Sequence, residues 1–272
     1  MSEFYGAIWE ALSEGNIKVK FDKFSTLYER FLSSDKTDFS SPDSPNELKN
    51  PSYFGFLNTQ SLYQKKQKPR DKSEKEAMFL HSVAHIEYSA VDIALDACYR
   101  FRGLPRQYYE DWLEVADDEI RHFNILNALL QKRGIKYGDF SVHDGLFVAL
   151  QKTSHSLLER MAVLPRYMEA NGLDANAHAI DRLRKEGAAQ DILQALEVIL
   201  AEEISHVKKG DFWYKFACAK AGVKPGEYIN IVQNHYPKAF LSSREINEAA
   251  RLAAGFSQDE LEKIKNLSQG QI

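Results

Sequence analysis

The chain has 272 residues, 44% of them hydrophobic, with a formal net charge of -4 and only two cysteines. This is enough apolar material for one large domain or one and a half ordinary ones. The charge balance excludes a strongly basic nucleic-acid binder, and Cys98 and Cys218, which lack CxxC spacing, exclude a disulfide framework in favour of buried thiols in a reduced compartment.

No apolar stretch approaches the roughly 18 residues of a membrane span, and the N-terminal MSEFYGAIWEALSEGN carries acidic residues in place of a signal-peptide core. A soluble, cytoplasmic protein is the expectation. Short helical periodicity covers Phe4 to Leu12 and Phe21 to Phe31. From Ser33 to Asp71 the chain is rich in Ser, Pro, Asn and Lys, which reads as an extended segment anchored to the main body by Tyr53, Phe54, Phe56 and Tyr63. Its basic run Lys65, Lys66, Lys68, Arg70, Lys72 reads as a solvated linker.

Ser73 and Glu76 have the spacing of a capping box, and apolar positions recur at helical spacing from there to Phe101. Gly103 ends that helix and Pro105 opens a second, which runs to Arg133 before Gly134. A polar loop spans Tyr137 to Asp144. A third long helix is expected from Gly145 to Asn171, stopped by Gly172 and kinked at Pro165. A shorter helix at Ala177 to Lys185 and a last long one from Ala188 to Ala221 follow. Pro225 to His235 and Ser243 to Leu267 read as shorter helices beyond. No segment alternates long enough for a sheet. The organisation is therefore all-α: residues 1–72 as N-terminal helices and an extended segment, 73–222 as a four-helix bundle, and 223–272 as a helical extension.

Two copies of Glu-x-x-His, Glu119 to His122 and Glu203 to His206, carry the chemistry. Composition alone predicts about 0.6 such matches, against two present. Residues three apart on a helix point to nearly the same side, so each pair can reach one metal ion. A lone glutamate precedes each pair at a similar distance: Glu87 lies 32 residues before Glu119, and Glu169 lies 34 before Glu203. This is the ligand set of a four-helix di-metal carboxylate site. The alternative is two solvated Glu-His pairs on helix surfaces. Apolar neighbours at both motifs, Val115, Ala116, Ile120 and Phe123, then Ile199, Leu200, Ile204 and Val207, argue for burial, and buried carboxylates need a cation or hydrogen-bond donors.

Glu159 is a rival to Glu169, though its 44-residue separation from Glu203 breaks the repeat. Asp118 and Glu202 should point away. His81 and His85 are expected to support the site or pack as polar groups, while His143 and His155 lack a partner at ligand spacing. Arg160 and Arg166 could neutralise buried carboxylates or bind an anionic substrate, but exposed ion pairs are the expectation. The small residues Ala90, Ala94, Ala116 and Gly210 either leave room for a substrate or O2 or let helices pack closely. Carboxylate and imidazole in this proportion favour iron, with manganese or a mixed pair as alternatives, over zinc, magnesium or calcium.

The stretches AHIEYSAVDIALDACYRFRGLP, DDEIRHF, YGDFSVHDGLF, RMAVLPRYMEANGLD and AEEISHVKKGDFWY resemble a bacterial family, ferritin-like domain-of-unknown-function family 455, over roughly Ser73 to Phe256. The resemblance implies the ferritin-like bundle that the spacing also suggests, with Glu at the position of Glu169, and says little of substrate. Where that family tends to read Pro-Pro-Phe-Asn, this chain has Arg244, Glu245, Ile246 and Asn247. The functional expectation is an O2-dependent di-iron oxidoreductase holding two metal ions on Glu87, Glu119, His122, Glu169, Glu203 and His206. Its partners would be a small-molecule substrate, O2 and an electron donor, without nucleic acid or membrane, and a homodimer is compatible. The alternative is a non-catalytic iron-binding, ferroxidase or storage protein.

Overall fold

The computed structural model describes residues 3–34, 36–40, 43–60, 68–241 and 245–270. Its elements are helices apart from one pair of two-residue strands. Among the described residues no helix is long and apolar enough to cross a membrane. The chain divides into two compact units, residues 1–151 and 152–272.

The first unit begins with α1 (Glu3–Leu12) and α2 (Ile17–Leu32). Asn16 opens α2 by accepting a hydrogen bond from the Val19 amide, which satisfies one of the amides a helix start leaves free. Then come α3 (Lys72–Arg100) and α4 (Arg106–Lys132), which pack together as a long hairpin. The cap of α3 is Asp71 rather than Ser73: Asp71 is extended and its carboxylate accepts from the Glu74 amide, while Ser73 already lies inside the first turn. Strand β1 (Thr59–Gln60) pairs in parallel with β2 (Val142–His143), a contact too short to leave an alternating pattern. Helix α5 (Gly145–Lys152) follows, all but its last residue in this unit.

Aromatic rings fasten α1 and α2 to the hairpin. Phe39 stacks on Tyr109 with centroids 4.2 Å apart, and the Tyr5 and Tyr109 hydroxyls meet at 2.8 Å. Lys20 is fully buried, 2.5 Å from Asp92, and donates to the carbonyls of Ala11 and Leu12. Of the expected anchors, Tyr53 is buried, Phe56 packs on Tyr88 and Tyr137, and Phe54 is exposed. Tyr63, Lys65 and Lys66 lie outside the described residues, and Lys68, Arg70 and Lys72 are exposed as a solvated linker requires.

The second unit departs from the expected single helix over residues 145–171. The chain leaves helical geometry after Lys152, because Ser156 caps a new helix by accepting from the Glu159 amide. That helix, α6 (Leu157–Val163), passes into a π-helical turn, Leu164–Glu169, and continues as α7 (Ala170–Lys185). Pro165 has no amide hydrogen to give, and the wider turn accommodates the lost bond, so the expected kink is a π-turn. Gly172 does not stop the helix; Gly187, at φ +67°, does. The residues expected as a separate helix at 177–185 are the end of α7.

Helix α8 (Gln190–Ala221) packs on all three of these segments and ends at Gly222, φ +67°. A Cβ at Gly210 would stand 2.4 Å from Pro165 Cβ, so here the small residue serves close packing: the proline ring occupies its place. A 3-10 turn (Pro225–Glu227) leads to α9 (Tyr228–His235), followed by α10 (Glu248–Ala253) and α11 (Gln258–Ser268). Arg166, expected at the surface, is fully buried. It binds Asp211 at 2.8 Å and Glu260 at 2.7 Å, with its guanidinium over Tyr228 and Phe256. Arg251 likewise binds Asp174 at 2.7 Å, and the buried Arg160 donates to the Thr153 hydroxyl. These ion pairs are internal because short C-terminal helices, invisible as partners in the linear chain, fold over them. Asn247, in the segment that departs from the family pattern, caps α10 and donates its amide to Asp174.

Candidate metal centre

Helices α3 and α4 bring Glu87 beside the Glu119–His122 pair. His122 Nδ1 lies 3.2 Å from Glu87 Oε2 and 3.5 Å from Glu119 Oε2, and all three side chains are buried. The i,i+3 spacing on α4 points Glu119 and His122 to one side. Val115, Ala116 and Phe123, all buried, flank them and limit water. Burial alone pulls the His122 imidazole down, but its two carboxylate neighbours outweigh this and hold it up at about 11. Two carboxylates in so dry a place require positive charge. Without a metal, a proton on His122 supplies it; a cation between the carboxylates would supply it instead. The donor set therefore fits a metal ion. Glu87, Glu119 and His122 are the members of a candidate metal-holding group that lie in the first unit.

Three of the six expected ligands are thus brought together within the first unit. In the second unit, Glu203 and His206 share a side of α8, with His206 Nδ1 3.5 Å from Glu203 Oε1 and His206 fully buried. Glu169 closes the π-turn, half-buried. Ala90, Ala94 and Ala116 are buried.

The rival Glu159 is engaged elsewhere, 2.7 Å from His235 and 3.1 Å from His155. His155 therefore has a partner, four residues along, contrary to expectation. Asp118 pairs with Arg121.

His81 and His85 line the same face of α3. The His85 Nε2 atom lies 2.9 Å from the His143 carbonyl, which only accepts, so Nε2 carries the proton. Burial pushes His85 down to about 4. Its Nδ1 is then bare, and the Tyr137 hydroxyl 2.9 Å away donates to it. His81 Nε2 accepts from the Gly138 amide at 2.8 Å, and burial lowers this imidazole also to about 4. Tyr137 packs on Tyr88 and Phe123, neighbours of Glu87 and His122. Sequence reasoning missed this Tyr137–His85 network; the His-x-x-x-His spacing on α3 was its one trace.

With this geometry in view, comparison places the chain. It matches the family described as "Protein of unknown function (DUF455)" over residues 13–262, and it belongs to that family. A protein of Haemophilus influenzae described as "Uncharacterized protein" is 33% identical over 281 residues, covering 99% of this chain and 96% of the relative. No solved structure matches the chain.

Proposed function

We propose that this protein is a ferritin-like di-metal carboxylate protein and an O2-dependent oxidoreductase. The observation that carries the reading is Glu87 buried against the Glu119–His122 pair on α3 and α4. Glu169, Glu203 and His206 would complete the set by the pseudo-repeat, so that two Glu-x-x-His pairs and two single glutamates would hold two ions. Iron suits these ligands, with manganese in one or both positions as the alternative. Two such ions, when bound, supply the electrons with which dioxygen is reduced while a substrate is oxidised. The chain's own residues do the rest. Glu87 and Glu119 provide the negative charge that holds the ions, His122 gives up its proton to become a ligand, and the apolar flank of Val115, Ala116 and Phe123 keeps water out.

The test is metal content per chain by elemental mass spectrometry, on protein made in medium balanced in iron and manganese, beside a Glu119→Ala/Glu203→Ala variant. About two ions per chain, lost in the variant, are expected; no bound metal in the wild type would overturn the reading. Dioxygen uptake by the reduced, iron-loaded protein is the second measurement. Its absence would overturn the oxidoreductase assignment and leave an iron-binding or storage role.

A further inference from the structure

The exposed side of α8 changes character along its length. Gln194, Val198, Ala201 and Ser205 line its first half, and past His206 the same side turns basic and aromatic. Lys208, Phe212, Lys215 and Ala219 follow at the spacing that keeps residues on one side of a helix, and all are exposed, Phe212 by 56%. Lys220 stands over the Phe216 ring at 5.9 Å, and Lys224 lies just beyond the helix end; both are exposed. Asp211 is the one acid between Val207 and Lys224, and it is buried against Arg166 and Lys215. The surface here is therefore positive, on a chain whose net charge is -4. It is also distinct from the candidate centre: Phe212 stands nine residues, or two and a half turns, past Glu203, so the two point opposite ways.

Helix α4 of the first unit carries the opposite sign. Glu110, Asp111, Glu114, Asp117 and Asp118 stand on its accessible side. Arg106 pairs with Glu110 and Arg121 with Asp118 at the two ends, while Glu114 and Asp117 are exposed between them. Half-buried Tyr28, stacked on Phe24 of α2 at 5.6 Å, lies in their field: burial pushes its hydroxyl up, and Asp117, Glu114, Asp118 and Glu110 push it further. A lone exposed ring is ordinary, and a charged face usually serves only solubility. Two faces of one chain, each with an aromatic ring among charges mainly of one sign and the signs opposed, have the apolar centre, charged rim and complementary potential of an interface.

We propose that the basic face of α8 is a docking surface for a second copy of this chain, which presents its acidic α4 face. Phe212 of one copy then meets Tyr28 of the other, and Lys208, Lys215 and Lys220 face Glu114, Asp117 and Asp118. Because the two faces differ, the contact is heterologous, so each side of it can be altered separately. An anionic lipid surface fits less well: the face has little beyond Phe212 to insert, Phe216 being half-buried.

The experiment is sedimentation velocity of the full-length protein at about 100 µM, where a micromolar contact is formed. Three proteins are compared: wild type, Lys208→Glu/Lys220→Glu on α8, and Glu114→Lys/Asp117→Lys on α4, with circular dichroism confirming that each folds. Wild type should sediment as two or more copies, with association weakened about tenfold or more between low and high salt. Each variant alone should be monomeric, and an equimolar mixture of the two should associate again, because one retains the native α4 face and the other the native α8 face. A monomeric wild type would overturn the proposal, as would association that survives either charge reversal. Co-sedimentation of a monomeric wild type with phosphatidylglycerol vesicles, lost in Lys208→Glu/Lys220→Glu, would overturn it in favour of a lipid surface.

Discussion

In the first unit, Glu87 and the Glu119–His122 pair stand on α3 and α4, which run 29 and 27 residues without interruption. In the second, Glu203 and His206 stand on the equally regular α8 of 32 residues, but Glu169 sits on a chain broken at residues 153–156 and widened at Leu164–Glu169. The same expected pattern of ligands is thus laid on regular helices in one unit and on a partly irregular chain in the other. The difference teaches that spacing in sequence repeats more faithfully than backbone geometry. A π-turn re-aims the residues after it, and such turns occur often at functional sites. The units also differ in their clamps: Lys20–Asp92 secures the flanking helix in the first, Arg166 with Asp211 and Glu260 in the second.

That contrast can be broken or sharpened by experiment. Removing one partner of a buried ion pair strands the other, so Lys20→Ala and Arg166→Ala should each cost about 3–5 kcal/mol by denaturant unfolding. If Arg166→Ala were near neutral, the surrounding rings rather than its acids would be securing the second unit. The next effect is a pH dependence confined to the first unit's hairpin. His81 and His85 titrate near 6.5 unfolded and near 4 folded. Because the folded value is depressed, their stabilisation is complete above pH 6.5 and is lost as pH falls from 6.5 towards 4. The loss is roughly 3 kcal/mol at most for each. Unfolding free energies at pH 7 and pH 4.5 should show the fall, and a His81→Gln/His85→Gln variant should flatten it.

Smaller effects probe single contacts. Gly210→Ala drives a methyl into Pro165, which should cost about 1–3 kcal/mol, partly recovered when Pro165→Ala is added. A matching cost in the double variant would show that the proline is not the obstacle. Asn16→Ala removes only the cap of α2 and should cost about 1 kcal/mol, read as a shift in thermal midpoint.

Much of the helical layout was legible because its signals are local. Pro105 and Gly134 bound α4, Gly222 ends α8, and apolar residues recur on α3 at helical spacing. The third long helix misled because Ser156, a strong cap, lay inside an otherwise continuous apolar pattern, and because Gly172, which reads as a stop, sits quietly in a helical conformation. Of the candidate centre, the i,i+3 pairs could be read because helical periodicity puts each pair on one side, and Glu87 because a lone glutamate precedes both pairs at a similar offset. His85 with Tyr137, Glu159 with His235 and Arg166 with Glu260 could not: their partners are 52, 76 and 94 residues away, and no local pattern encodes such contacts. Burial of Arg166 was missed for the same reason, since the acids that neutralise it come from elements far along the chain.

The pairing of Thr59–Gln60 with Val142–His143 has a bearing on the order of assembly. It joins residues about eighty positions apart, and closing so long a loop costs conformational entropy that a local hairpin such as α3 and α4 avoids. The hairpin is built from contacts nearer in sequence, so its closure is the cheaper of the two. The His143 carbonyl that accepts from His85 Nε2 is part of that clasp, so the orientation of this imidazole depends on a contact far along the chain as well as on α3.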